Sequence, residues 1–415
     1  MRLYHLSLTN FRNYIRLELD FPARLTLLQG GNAQGKSNLL EAIHYLATGR
    51  ALQAEAEREL VNWLALEDPL PYARVAADII DDHQSKRLEI TLMPANGSGR
   101  PLNFRKQVRI NGIARRALDL VGNLRVVLFV PQDIELIAGP PARRRHYLDV
   151  ALCQMSRAYC RALAGYSQVL AQRNALLRAL QERGITSTRS SDQEQLRFWN
   201  EQLVEHGALL MTERQRFISN LDIEARVCHR QLTGGREHLQ LYYVPSFDPS
   251  RRPAMNGQLP LALGYKEAML APFPSPVEIA EVFADHLRAL YQRELTLGTT
   301  LVGPHRDDLR FMVANRDLRL YGSRGQQRTA ALALKLAEVQ VMTRETGEPP
   351  ILLLDDVMSE LDATRRQMLL KTLDNITQAI ITTTDWDDFT PAFRAQARLL
   401  RVSDGKIEEV SPGEV

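Results

Sequence analysis

Gly30-Gly31-Asn32-Ala33-Gln34-Gly35-Lys36-Ser37 follows an apolar run, Leu25-Thr26-Leu27-Leu28, and leads into helical spacing at Leu39, Leu40, Ile43 and Leu46. The pattern G-x-x-x-x-G-K-[ST] between a strand and a helix is what phosphate binding needs. Small residues let backbone N–H groups crowd around an anion at a helix N-terminus. In that frame Lys36 reaches the β- and γ-phosphates of ATP and Ser37 holds Mg²⁺. Gly30, Asn32, Ala33, Gln34, Gly35 and Asn38 complete the nucleotide loop.

Near the other end, Ile351-Leu352-Leu353-Leu354-Asp355-Asp356 reads as a buried strand ending in two carboxylates. Asp355 fits the metal shell, and Asp356 is placed to orient or deprotonate an attacking water. Either aspartate alone also suits a helix cap. The strand and the phosphate loop together favour two halves of one site. Most of the chain lies between them, so something large is inserted into one nucleotide-binding domain.

Composition bounds the class. A chain of 415 residues is long for one core, so two or three domains are expected. Hydrophobic content of 45% and charged content of 24% suit a soluble globular protein. No apolar run reaches membrane-spanning length, and Met1-Arg2-Leu3-Tyr4-His5 lacks a signal-peptide core, so a cytoplasmic protein is expected. Cys153, Cys160 and Cys228 fit a reducing compartment, and nothing completes a metal quartet around them. The net charge of +3 permits nucleic-acid binding without demanding it. Arg115-Arg116 and Arg143-Arg144-Arg145 are candidate DNA-phosphate contacts; solvated charged faces are the alternative reading.

The alternation of elements predicts an α/β domain over residues 1–142, resumed over 296–415. Leu3 to Leu8 and Leu25 to Gln29 read as strands, and Val75 to Ile80 with Leu88 to Met93 as a hairpin. Pro94 to Gly99 is a loop by composition. Residues 143–295 form the insertion. Apolar residues fall at helical spacing from Arg143 to Leu180 and again from Leu196 to Leu221, across a polar break at Gly184 to Asp192. This predicts an antiparallel helical arm. Residues 245–276, rich in proline and glycine, are expected to be an irregular loop, and Val277 to Leu295 a helix.

Tyr321-Gly322-Ser323-Arg324-Gly325-Gln326-Gln327-Arg328 opens a helix over Thr329 to Val341. A hydroxyl and small residues there make a second anion-binding helix start. One domain already has its phosphate loop, so this one is expected to serve the nucleotide of a partner copy.

These motifs carry a resemblance. The chain resembles the ABC-type ATPases of chromosome maintenance, which include the SMC proteins, and within them the RecF family of bacterial recombination mediators. The resemblance rests on Asn10-Phe11-Arg12-Asn13-Tyr14, the phosphate loop, Gly303-Pro304-His305-Arg306-Asp307-Asp308, Ser323 to Arg328, and Leu354 to Asp362, in family order across nearly the whole chain.

The resemblance implies an ABC-type ATPase head with an inserted helical arm. It implies that Ser323, Gly325 and Gln326 meet the γ-phosphate held by the other subunit of an ATP-dependent homodimer. Gln132 looks like the loop residue that senses Mg²⁺ and the γ-phosphate. Arg12 resembles an early arginine near the nucleotide, with a surface salt bridge as the alternative. His305 and Arg306 are left between an ATP-facing and a DNA-facing role.

The implied activity is a weak, DNA-stimulated ATPase in recombinational repair and replication. It clamps duplex DNA near single-strand junctions and helps mediators of the RecR and RecO type load the recombinase. Two departures stand out. Asp356 occupies a position where a glutamate is common, which suggests slow hydrolysis. Thr382-Thr383-Thr384-Asp385 stands where transporters place a histidine, with Thr384 or Asp385 as its replacement. An ATP-controlled nuclease is a second reading, weakened because only about thirty residues follow Asp385. The ATPase subunit of a transporter is a third.

Overall fold

The computed structural model describes residues 1–52, 54, 56–81, 84–95, 103–184, 190–253, 273–373 and 376–411. From the N-terminus run β1 (Arg2–Phe11), β2 (Tyr14–Asp20) and β3 (Leu25–Gln29), then helix α1 (Lys36–Thr48). Next come β4 (Ala73–Asp81), β5 (Gln84–Pro94), β6 (Phe104–Ile110), β7 (Ile113–Arg115), the short α2 (Ala117–Leu120), β8 (Val126–Phe129) and α3 (Ile134–Ala138). Helices α4 (Pro141–Met155), α5 (Arg157–Glu182) and α6 (Ser190–Leu232) follow, then β9 (Leu239–Val244) and α7 (Pro276–Leu297). The chain closes through β10 (Asp308–Val313), β11 (Arg316–Asp317), α8 (Leu318–Tyr321), α9 (Arg324–Thr346), β12 (Ile351–Asp355), α10 (Ala363–Leu373), β13 (Ala379–Thr383), α11 (Pro391–Arg394), β14 (Arg398–Ser403) and β15 (Lys406–Glu409).

The sheet that positions the site has the order β15-β14-β3-β13-β12-β8, parallel except at the β15 edge. Its four inner strands β3, β13, β12 and β8 are buried almost along their whole length because both faces are covered. Leu27, Leu352, Leu354 and Ile381 enter one core with the helices of the insertion. Leu28, Ile351, Leu353 and Ile380 enter a second core with α1 and the antiparallel sheet β2-β1-β4-β5-β6-β7. The two-residue period of a strand thus splits one sheet between two cores.

Register brings the strand ends level. Thr383 pairs with Gln29, Thr382 with Asp355, and Phe129 with Leu354. Residues just beyond these strands therefore share the carboxyl edge of a parallel sheet, where ligands of open α/β sheets bind.

The inserted helices differ in detail from expectation. The stretch from Arg143 to Leu180 is two helices, not one. Ser156 breaks it in an extended conformation, and its hydroxyl accepts the Tyr159 N–H at 3.1 Å to cap α5. α5 and α6 run antiparallel: Arg173 binds Asn200, and Tyr159 binds Arg214. A small sheet, β11-β10-β9, was not foreseen. It pairs β9 of the insertion with β10 of the C-terminal segment. Of the loops expected at Pro94 to Gly99, Gly184 to Asp192 and 245–276, residues 96–99, 185–189 and 254–272 lie outside the described residues. Among the described residues, no helix is long and apolar enough to cross a membrane.

Candidate nucleotide site

The phosphate loop runs from the end of β3 into α1, and its shape is held from outside. Asn13 Nδ2 donates to the Gln34 carbonyl at 2.9 Å, and the Tyr14 hydroxyl to the Gly35 carbonyl at 2.9 Å. From the β14–β15 turn, Asp404 N–H donates to Gln34 Oε1 at 2.7 Å and Gly405 N–H to the Gln34 carbonyl at 3.1 Å. Gly35 has φ 118°, and a Cβ there would lie 2.6 Å from Asn13 Nδ2. A Cβ on Gly30 would lie 2.4 Å from the Val402 carbonyl oxygen. Both positions therefore require glycine.

Lys36 Nζ donates to the carbonyls of Gly30 (2.6 Å) and Gly31 (2.8 Å), so its ammonium folds back over the loop. Burial lowers its pKa, opposed by the nearby carboxylates of Asp356 and Asp355. Ser37 Oγ donates to Asp355 Oδ1 at 2.9 Å, so the two residues expected to hold Mg²⁺ already converge. Thr382, which sequence reasoning did not place in the site, joins them. Its hydroxyl donates to Asp355 Oδ1 at 2.8 Å and accepts the Asp356 N–H at 3.0 Å. Its place one residue before the end of a buried strand was the one signal available.

Asp356 sits at φ 49°, a left-handed conformation that costs a non-glycine residue free energy. Its Oδ1 is buried and has no hydrogen-bond partner among the described residues. Burial raises its pKa, Lys36 pulls it down, and Asp355 and Asp388 push it up again. The carboxylate is thus turned inward, beside a cation, with an open acceptor.

Gln132 follows β8 and is exposed at the same sheet edge. Of the residues considered for the transporter histidine's place, the Thr384 carbonyl accepts Gln29 Nε2, and the exposed Asp385 carboxylate caps the Asp387 N–H. Thr382 touches both site aspartates instead.

The residues suit a divalent cation. A serine hydroxyl and one carboxylate oxygen meet at the phosphate-loop helix, matching an ion that takes its other ligands from phosphate and water. Among the described residues no cluster of three or more His, Cys, Asp or Glu could hold a metal alone.

Ser323 and Gln326 form a reciprocal cap at the start of α9. The Ser323 hydroxyl accepts the Gln326 N–H, and Gln326 Oε1 accepts the Ser323 N–H at 2.9 Å. Gln326 Nε2 reaches Glu237 at 2.8 Å. Ser323, Arg324 and Gly325 are exposed, and no hydrogen bond joins Ser323 or Gln326 to the phosphate loop among the described residues.

A family model described as the RecF/RecN/SMC N terminal domain matches residues 2–408. The chain belongs to this family. It is 44% identical to the DNA replication and repair protein RecF of Chloroflexus aurantiacus, over 98% of this chain and 99% of that protein. It is 41% identical to the RecF of Herpetosiphon aurantiacus, again over 98% and 99%. A solved structure of the recombination mediator protein RecF with ATP, in the RecFOR pathway, superposes with a TM-score of 0.81 at 31% identity, covering 99% of this chain and 97% of that one. The fold is the ABC-type ATPase head of RecF and SMC proteins with a helical insertion.

Other residues singled out in the sequence resolve unevenly. Arg12 makes a two-pronged ion pair with Glu41 of α1 (2.8 and 2.9 Å) and also donates to the Glu59 carbonyl. Arg144 is a correction. It is 2% exposed, donates to both oxygens of Asp308 (2.6 and 3.0 Å) and to the Gly139 carbonyl, and so offers no surface to DNA. Arg143 is exposed, whereas Arg145 is half-buried and donates to the Asp307 carbonyl. Arg115 and Arg116 are exposed, with Arg116 beside Asp119 at 3.2 Å.

Within the Gly303 to Asp308 segment, His305 and Asp307 bond to groups inside the protein, and Arg306 is exposed. His305 Nδ1 meets the Tyr166 hydroxyl at 2.7 Å, and Nε2 the Thr300 carbonyl at 3.3 Å. Burial lowers the His305 pKa to about 4. Asp307 is 1% exposed and accepts from the Tyr243 hydroxyl and the Ser246 N–H. Arg306 donates to the Thr300 carbonyl.

Proposed function

We propose that the chain is an ATP-switched DNA-binding protein of recombinational repair and replication. Two copies join head to tail around ATP and Mg²⁺. The observation that carries this reading is the split between Lys36, Ser37 and Asp355 on one face and the exposed, pre-capped Ser323 helix start elsewhere on the same chain.

Lys36 leaves its two carbonyl partners for the β- and γ-phosphates. Ser37 and Asp355 hold Mg²⁺, which when bound neutralises phosphate charge and orients the nucleotide. Asp356 Oδ1 accepts a hydrogen bond from the attacking water and orients it, with Thr382 fixing the backbone beneath. The short reach of an aspartate makes hydrolysis slow, so turnover times the clamp. Ser323, Gly325 and Gln326 of a second copy close the site, with N–H groups and the helix dipole turned toward the γ-phosphate.

Exposed Arg115, Arg116 and Arg143 contact DNA phosphates without reading sequence. The RecFOR pathway named for the solved RecF structures supports mediator partners of the RecR and RecO type, and the family resemblance implies action at single-strand/duplex junctions. Sizing the native chain, Lys36→Met and Ser323→Arg with and without ATP and Mg²⁺ tests the reading. An ATP-dependent dimer is expected in the native chain alone, and a constant monomer in all three contradicts it.

A further inference from the structure

Helices α4, α5 and α6 and the Pro304-His305 turn enclose a recess of about 230 Å³, none of whose lining residues belongs to the nucleotide site. Its lining is of two kinds. Leu163 and Leu170 of α5 and Leu210 of α6 are apolar, whereas Arg145 of α4 and Arg214 of α6 face the single carboxylate of Asp149. Arg214 is 2% exposed and fully engaged: Nε donates to the Tyr159 hydroxyl (2.9 Å), Nη1 to the Pro304 carbonyl (2.7 Å) and Nη2 to Asp149 Oδ1 (2.7 Å). The lining carboxylate therefore already has its cation.

Arg145 does not have its anion. Nη1 donates to the Asp307 carbonyl at 2.8 Å, and Nε and Nη2 have no hydrogen-bond or ion-pair partner among the described residues. Those two groups form one edge of the guanidinium. Through the same edge the neighbouring Arg144 grips both oxygens of Asp308, at 2.6 and 3.0 Å. Such an edge fits a carboxylate with two parallel hydrogen bonds. Burial and then Arg214 lower the Arg145 pKa against the pull of Asp308, Asp307 and Asp149, so the guanidinium is short of counter-charge. His146, also in the lining, is held below its ordinary pKa by burial and then by Arg50 and Arg143, with Asp149 opposing. Arg50 and Arg143 are both exposed and add positive charge nearby.

We infer that this recess is a docking site for an acidic peptide of a partner protein, with a carboxylate in the open edge of Arg145 and an adjacent large apolar side chain against Leu163, Leu170 and Leu210. Size and lining choose this occupant. Pockets for whole drug-sized ligands begin at about 300 Å³, so the room here suits one or two side chains delivered by a partner chain. A DNA phosphate would fill the guanidinium edge, but a hydrated backbone brings nothing to the three leucines. An arginine beside an apolar pocket is the make-up of the energetic centre of many protein contacts. Nothing in this inference depends on the nucleotide-bridged dimer.

The test is fluorescence anisotropy of labelled short peptides that pair Asp or Glu with Leu, Ile or Phe. They are titrated with the native full chain, Arg145→Gln and Ser167→Trp, beside a labelled DNA duplex, and urea unfolding checks each variant. Ser167 lines the recess, is exposed, and among the described residues its hydroxyl bonds only to the Leu163 carbonyl of its own helix (2.8 Å). Ser167→Trp therefore fills the recess and leaves the fold intact, so the test stands even where Arg145→Gln unfolds. At least one peptide is expected to bind the native chain, and to bind each folded variant about tenfold or more weakly. Its Asn or Gln counterpart is expected not to bind, and DNA affinity to be unchanged in Ser167→Trp. Absence of binding by every peptide, or equal binding to the native chain and Ser167→Trp, overturns the site. Equal binding of a peptide with Ser in place of its apolar residue overturns the apolar half of the contact. DNA that displaces the peptide and loses affinity in Ser167→Trp makes the recess a nucleic-acid site and overturns the peptide.

Discussion

Ser37 Oγ and Asp355 Oδ1 lie 2.9 Å apart although 318 positions separate them in sequence. That contact joins the two halves of the candidate nucleotide site across the whole insertion. It predicts that Ser37→Ala and Asp355→Asn each weaken Mg²⁺-dependent ATP binding and that their effects are far from additive. Titration with a fluorescent ATP analogue, with Mg²⁺ and with EDTA, checks this. The expected loss is about tenfold or more in Mg²⁺, with little change in EDTA. Simple additivity would show that the two residues do not share one ion.

Thr382 supports both site aspartates with one hydroxyl. Thr382→Val keeps the shape but leaves the Asp356 N–H without its acceptor, at a stability cost of about 1–3 kcal/mol. ATP binding is expected to persist while hydrolysis falls at least tenfold, because the backbone that aims Asp356 is released. Equilibrium nucleotide binding and steady-state phosphate release, measured side by side, separate the two effects.

The arginine run 143–145 divides by exposure. Arg144→Ala leaves Asp308 without its partner and is expected to destabilise the fold by roughly 3 kcal/mol, read by urea unfolding. Arg143→Glu is expected to leave stability within about 0.5 kcal/mol of native. It should weaken DNA binding and lower the salt slope by about one unit. Unchanged DNA affinity and slope would remove Arg143 from the DNA face.

His305 gives the fold a pH dependence of known sign. Burial lowers its pKa from 6.5 to about 4, so the folded state favours the neutral ring. Its stabilising share is therefore present above pH 6.5 and is lost as pH falls toward 4. The loss amounts to up to about 3 kcal/mol. Unfolding midpoints of the native chain should fall more steeply across that window than those of His305→Gln. Parallel curves would contradict the assignment.

What the sequence revealed followed the range of its signals. The strand, loop and helix from Leu25 to Thr48, and the strand ending at Asp355, rest on local periodicity and were legible. The arginine run misled because adjacent helix positions lie about 100° apart, so one of three can turn inward. Thr382 and the Asp404-Gly405 turn escaped notice because their meaning lies in distant partners; the contact from Asp404 to Gln34 spans 370 positions. The break at Ser156 was hidden by apolar residues that keep helical spacing on both sides of the cap. Among the described residues, the strand Leu239–Val244 pairs only with residues more than sixty positions away.

The composite nature of the site is the central claim, and mixing two disabled chains tests it most directly. Lys36→Met lacks a working phosphate loop but keeps Ser323, whereas Ser323→Arg keeps the loop and loses the helix start. Each alone should show almost no ATP hydrolysis. Mixed in equal amounts, the two variants pair only with each other, each such dimer carries one intact site of two, and activity should return to at most about half of native. A mixture no more active than its two components would contradict a nucleotide shared between copies.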